Sequence, residues 1–141
     1  MTHPLTTCLW YDGKAKEAAE YYCSIFKDSK ITGENPLVVT FEINGSKFMG
    51  LNGGPMFSFN EAVSFVVNCD TQEEIDMYWN KLIANGGNES MCGWLKDKYG
   101  MSWQIVPAGL GKLMSDPKKG GRIMQALMKM KKIEVKILEE A

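Results

Sequence analysis

The chain reads as an α+β protein made of a duplicated module, in which a strand and a helix are followed by two or three more strands. Three observations predict this. Asp12 and Asp70 each close a short apolar run, residues 6–11 and 64–69. Each is followed by an acidic, aromatic helical pattern, Glu17 with Tyr21 and Tyr22, then Glu74 with Tyr78 and Trp79. The run Gly45-Ser46-Lys47-Phe48 returns as Gly100-Met101-Ser102-Trp103. The first pair of landmarks is offset by 58 residues and the second by 55, so one register covers nearly the whole chain. Internal repetition of this kind predicts pseudo-two-fold symmetry and a site shared by the halves.

In the first copy, about residues 4–56, positions 6 to 11 alternate as a strand does, and Asp12-Gly13 turns the chain out of it. Ala15, Ala18, Ala19, Tyr22, Ile25 and Phe26 then recur at three and four, which draws one apolar stripe along a helix. Lys30 to Thr32 offers a short strand, Leu37 to Ile43 a β-branched and aromatic one, and Asn44-Gly45 a hairpin turn into Lys47 to Asn52. The second copy spans about residues 60–108. Val63 to Cys69 is its strand, and Thr71-Gln72-Glu73-Glu74 is a capping box that starts a helix carrying Ile75, Tyr78, Trp79, Leu82 and Ile83. Gly86-Gly87 ends that helix; Asn88 to Met91, Trp94 to Lys98 and Ser102 to Pro107 supply the remaining strands. A tail, 109–141, has no counterpart in the first copy, and Ile123, Met124, Leu127 and Met128 predict a helix running from Gly120 to Lys132. Asp12 and Asp70 sit where the helices begin and are expected to cap them.

Bulk properties bound the function. With 141 residues, 45% of them hydrophobic and 23% charged, the chain can bury a core and carries no signature of disorder. The net charge of −1 is uneven, since residues 112–136 hold eight basic and two acidic side chains. No aromatic residues interleave with those lysines, so a solvated face rather than a nucleic-acid partner is expected. The N-terminus has no basic segment followed by an apolar stretch, and Ala62 to Val67 is an apolar run of only six, so a soluble cytoplasmic protein without a membrane partner is expected. Cys8, Cys23, Cys69 and Cys92 show neither CxxC spacing nor disulfide-scaffold density, which suits a reducing compartment.

A βαβββ duplication with Asp closing each first strand resembles the vicinal oxygen chelate superfamily, which includes glyoxalases, extradiol dioxygenases and bleomycin or fosfomycin resistance proteins. The run Asp97-Lys98-Tyr99-Gly100-Met101-Ser102-Trp103-Gln104 stands where that superfamily has Asp-Pro-Asp-Gly-x-x-x-Glu. Leu9-Trp10-Tyr11-Asp12-Gly13, Leu51-Asn52-Gly53-Gly54-Pro55, Cys92-Gly93-Trp94-Leu95-Lys96-Asp97 and Trp103-Gln104-Ile105-Val106-Pro107 resemble its PhnB-like branch, whose members often bear the label 3-demethylubiquinone-9 3-methyltransferase. The resemblance implies curved mixed sheets, a pocket against their open faces and a homodimer. Methyl transfer, which that label suggests, is the least favoured alternative: a Rossmann-type cofactor site needs a glycine turn between a strand and a helix, and Asn52-Gly53-Gly54-Pro55 leads into Met56-Phe57-Ser58-Phe59, which has no helical start.

The superfamily's chemistry implies a divalent metal held by residues of the first and last strands of each module. Period-two alternation puts Thr7, Leu9, Tyr11, Phe65, Val67 and Cys69 toward the helices, leaving Thr6, Cys8, Trp10, Ser64, Val66 and Asn68 on the open side. The ligand positions implied by the resemblance then fall on Thr6, Met49, Ser64 and Gln104, of which only Gln104 offers a suitable oxygen. His3, the sole histidine, is near the terminus. The expectation is therefore a metal-free, cofactor-free pocket lined by Thr6, Cys8, Trp10, Met49, Leu51, Ser64, Asn68, Ser102 and Gln104, suited to a small, partly aromatic or amphipathic ligand. A metal-dependent lyase or dioxygenase is the rival reading, and no catalytic residue is assigned.

Overall fold

The computed structural model describes residues 2–141. Its elements run β1 (Thr6–Tyr11), α1 (Ala15–Ile25), β2 (Ser29–Glu34), β3 (Val38–Ile43), β4 (Ser46–Asn52), β5 (Ser64–Cys69), α2 (Gln72–Ile83), β6 (Asn88–Glu89), β7 (Trp94–Lys96), β8 (Ser102–Pro107), α3 (Leu110–Met114), α4 (Gly120–Leu127) and α5 (Val135–Glu139). Two sheets result, with orders β1-β4-β3-β2 and β5-β8-β7-β6, the same topology twice. In each, the first and last strands of the module pair in parallel at the sheet's start and the rest are antiparallel. The chain divides into two compact units, residues up to Phe59 and from Asn60 onward.

In the first unit, the stripe read from the sequence is the buried one: Ala15, Ala18, Ala19, Tyr22, Ile25 and Phe26 are all inside. Small residues let α1 lie close to the sheet, since a Cβ at Gly50 on β4 would stand 3.0 Å from that of Ala15. Phe41 stacks on Phe48 across β3 and β4 at 5.3 Å. The hairpin between them turns at Asn44 and Gly45, both with positive φ (48° and 84°), the type I′ geometry this dipeptide favours.

In the second unit, Ile75, Trp79 and Leu82 of α2 are buried, as are Leu95, Trp103 and Ile105 of the sheet. Each such side chain contributes about 1.5–3 kcal/mol by leaving water. Trp79 also donates its indole N–H to Glu89 Oε2 at 2.8 Å, which ties the helix to the edge strand β6. Strand β7 stops at Lys96 rather than Lys98 because Asp97 opens a turn, its Oδ1 accepting the N–H groups of Tyr99 (2.8 Å) and Met101 (3.1 Å).

The helix starts differ from expectation. Neither Asp12 nor Asp70 caps a helix. The N-terminal N–H of α1, at Ala15, is taken by Asn52 Oδ1 from the end of β4 at 2.9 Å, while Asn52 Nδ2–H donates to the Pro36 carbonyl. Helix α2 is capped by Thr71, whose Oγ1 accepts the Glu74 N–H at 3.2 Å. The tail also departs from the single helix expected: α4 ends at Leu127, and α3 and α5 are two further short helices. They enclose a cluster of Ile123, Leu127, Met130, Ile133 and Leu138 together with Val106 of β8. Gln72 fastens the tail to α2, accepting the Val135 N–H at 2.8 Å and donating to the Ile133 carbonyl at 2.9 Å.

Candidate functional site

In the first sheet, Thr6, Cys8 and Trp10 pair with Lys47, Met49 and Leu51. The two-residue period sets this row on one face and Leu9, Tyr11, Phe48 and Gly50 on the other. The second face is buried under α1, whereas Thr6 and Cys8 are exposed and Trp10, Met49 and Leu51 half-buried. Thr7, expected toward the helix, lies exposed at the strand's start.

Trp10, expected to line the pocket, is engaged by its own neighbours. Its Nε1–H donates to the Gly54 carbonyl at 2.8 Å, and Phe57 packs edge-on with ring centres 4.8 Å apart. A Cβ at Gly53 would come within 2.4 Å of the indole, so only glycine allows the backbone to lie against the ring. The Gly53-Gly54 pair therefore seats an aromatic side chain, and residues 53–63 after it contain no helix.

In the second sheet, Ser64 and Asn68 of β5 pair with Ser102 and Val106 of β8, and Val66 pairs with Gln104. Gln104 donates Nε2–H to Ser64 Oγ at 2.9 Å, both side chains being half-buried. Asn68 is exposed. Ser102 departs from expectation: it is only 1% exposed, and its Oγ has no hydrogen-bond partner among the described residues. It lies on the interior strand β8, paired with Ser64 on one side and Lys96 on the other, and at this burial it offers no surface to a ligand. Lys96 forms an ion pair with Glu61, whose carboxyl is held below its ordinary value by that hydrogen bond and by the ammonium charge.

The positions implied for a metal carry a hydroxyl, a thioether, a second hydroxyl and one amide, a set that does not fit a catalytic divalent ion. Among the described residues, no three His, Cys, Asp or Glu side chains come together in a way that could hold an ion. Asp97 is 1% exposed, and its carboxylate accepts two backbone N–H groups and, at 2.9 Å, the Trp103 indole N–H. Cys92 packs at a turn, its own N–H bonded to the Met130 carbonyl and Gly93 beside it at φ 85°.

A cavity of about 490 Å³ lies elsewhere, among the three tail helices. The excess of lysines in residues 112–136 was visible in the sequence, but the closure of a cavity by α5 was not.

The family model for 3-demethylubiquinone-9 3-methyltransferase matches residues 3–106. The chain belongs to this family. The PhnB protein of Bacillus cereus, described by the same family name, is 35% identical, and the match covers 75% of this chain and all of that one with a TM-score of 0.68. A glyoxalase-related enzyme of Fulvimarina pelagi is 16% identical over 74% of this chain and 88% of its own, with a TM-score of 0.54. A glyoxalase/bleomycin resistance protein/dioxygenase family enzyme of Burkholderia phytofirmans is 14% identical over 71% and 94%, with a TM-score of 0.55. The last two establish the fold, that of the glyoxalase superfamily. No curated protein matches the sequence. The methyltransferase description is the PhnB-like family's name and assigns no reaction to this chain. No helix among the described residues is long and apolar enough to cross a membrane.

Proposed function

We propose that this PhnB-like chain binds a small organic molecule on the open faces of its sheets, holds no resident divalent ion or other cofactor, and acts as a homodimer in the cytoplasm. The observation that carries the reading is the Ser64–Gln104 pair, a half-buried hydrogen-bonded couple standing where the superfamily likeness implies metal ligands. Two neutral side chains joined to each other present hydrogen-bonding groups to an organic ligand and little attraction to a cation. On the first sheet the open face carries Met49 and Leu51, adaptable side chains that suit an amphipathic ligand. The homodimer is supported by apolar surface left in water, with Val63 59% and Val66 51% exposed. Four free cysteines suit a reducing cytoplasm.

The test is a thermal-shift titration of the purified chain with aromatic and phosphonate compounds, alongside metal analysis after dialysis. A true ligand raises the melting temperature with concentration, by about 2.7 kcal/mol of stabilisation at a hundred times its dissociation constant. Gln104→Leu should remove that shift while leaving the unliganded melting temperature within a few degrees. A stoichiometric divalent ion surviving dialysis would overturn the reading, and a monomer by light scattering at micromolar concentration would overturn the dimer.

A further inference from the structure

The tryptophans of this chain are not equivalent. Trp10, Trp79 and Trp103 each donate the indole N–H, to the Gly54 carbonyl, to Glu89 and to Asp97. Trp94 is the exception: among the described residues its indole makes neither a hydrogen bond nor a ring contact. A tryptophan ordinarily finds a partner for its N–H where it is buried. Trp94 is half-buried at the start of β7, with part of the ring left to solvent.

The sheet gives this indole its neighbours. Trp94 is paired with Gln104 and Gln104 with Val66, so the three side chains form one row across β7, β8 and β5. Directly paired residues share a face. The adjacent row of Leu95, Trp103 and Phe65 takes the opposite face, which α2 covers. The first row is open, with Gln104 half-buried and Val66 51% exposed. Gln104 donates Nε2–H to Ser64 Oγ at 2.9 Å, which leaves Gln104 Oε1 and the Ser64 hydroxyl hydrogen without a partner among the described residues.

Charge on these strands is already matched. Strands β5, β7 and β8 hold one ionic side chain, Lys96, and it is paired with Glu61. An anionic ligand finds no free ammonium group on them, and a cationic one no free carboxylate. The row offers an aromatic surface beside uncharged hydrogen-bonding groups, which suits a planar ring carrying a carbonyl.

We propose that Trp94 is the aromatic platform of the small-molecule site, and that the second sheet selects a neutral, planar aromatic compound whose ring packs on the indole and whose carbonyl is held by the Ser64–Gln104 pair. This rests on the reading that the open faces bind a small organic molecule, and narrows it to one sheet and one ligand class.

The full chain, labelled with 15N and 5-fluorotryptophan, is titrated with coumarin, with its ring-saturated analogue octahydrocoumarin and with coumarin-3-carboxylate. The signal missing from the fluorine spectrum of Trp94→Phe is that of Trp94. Coumarin should move this signal saturably and leave those of Trp79 and Trp103 in place. Trp94→Leu should weaken coumarin about tenfold, as followed at the amides of residues 64–66 and 102–104, while Trp94→Phe, which keeps a ring, retains most of the affinity. Unchanged far-ultraviolet spectra and unmoved signals from the other tryptophans show that both variants are folded. Equal binding of octahydrocoumarin would overturn the aromatic platform, and equal binding of the carboxylate the selection against charge. A change of oligomeric state in Trp94→Leu, read by light scattering, would make the indole a subunit contact and overturn the proposal. Shifts confined to residues 6–10 and 47–51, with the Trp94 signal unmoved, would overturn it too and leave the small-molecule reading standing. No saturable shift with any of the three overturns the neutral aromatic class; the broader reading falls only if the thermal-shift titration is silent as well.

Discussion

Replacing Asp97 by Asn tests whether one buried carboxylate organises the β7–β8 hairpin. Oδ1 accepts two backbone N–H groups, from Tyr99 and Met101, and Oδ2 accepts the indole N–H of Trp103, all at a site 1% exposed. Asparagine offers one carbonyl oxygen and one NH2 group. With the oxygen on the backbone donors, the NH2 meets the indole N–H donor to donor; flipped, it meets two backbone N–H groups, which is worse. The better arrangement loses a charge-assisted bond, about 1.5–3 kcal/mol, and strands a buried N–H, a further ~1–3 kcal/mol. These penalties overlap, so the expected cost is about 3–4 kcal/mol, a large share of the roughly 5–15 kcal/mol stability of a folded domain. Urea unfolding followed by circular dichroism measures it. Trp103→Phe removes the stranded donor, so combining it with Asp97→Asn should recover at least about 1 kcal/mol relative to the sum of the single changes. A cost for Asp97→Asn below about 1 kcal/mol, or strict additivity in the cycle, would refute the assignment.

Three further outcomes are expected. Gly53→Ala puts a methyl group within 2.4 Å of the Trp10 indole, so it should cost about 1–3 kcal/mol and displace the Trp10 signal in fluorine NMR of 5-fluorotryptophan-labelled protein; an unmoved signal counts against the glycine seat. Burial, then the charges of Glu74 and Asp70, pushes the Cys69 thiol up to about 11, so iodoacetamide at about pH 8 should modify exposed Cys8 well before Cys69, as read by peptide mass spectrometry. Hydrogen bonds from Lys132 and Gln72 hold the Asp76 carboxyl below its ordinary value. Its folded value lies under the unfolded one, so its contribution is full above the ordinary carboxylate value and disappears as pH falls through the depressed one. Protection factors of the amides in residues 133–138, taken relative to the intrinsic exchange rate at each pH, should therefore fall in acid, and Asp76→Asn should abolish that dependence.

What could be read from the sequence was local or periodic. The hairpin at Asn44-Gly45 and the Thr71 cap rest on neighbours within three positions, and the two-residue period sorted Leu9 and Tyr11 from Cys8 and Trp10 because each face of a strand meets one environment. The glyoxalase fold followed from long matching motifs. What escaped depends on distant partners. Asp12 was expected to cap α1, but the cap comes from Asn52. Alternation put Ser102 on the open face and could not show that the position would be buried. Trp10 looked available until Gly53, Gly54 and Phe57 were seen against it. Helices α3 and α5, of five residues each, are too short to leave a periodic signal, so the cavity they help form was invisible.

The origin of the cap on α1 bears on how the chain acquires its structure. The donor at Ala15 and the acceptor on Asn52 are 37 positions apart, while Thr71 and Glu74 are separated by three. Closing the longer loop costs more chain entropy, and nothing repays it until β4 has docked. The two copies of one module thus fix their helix starts at different entropic cost, one from within its own first turn and the other only across the length of its repeat.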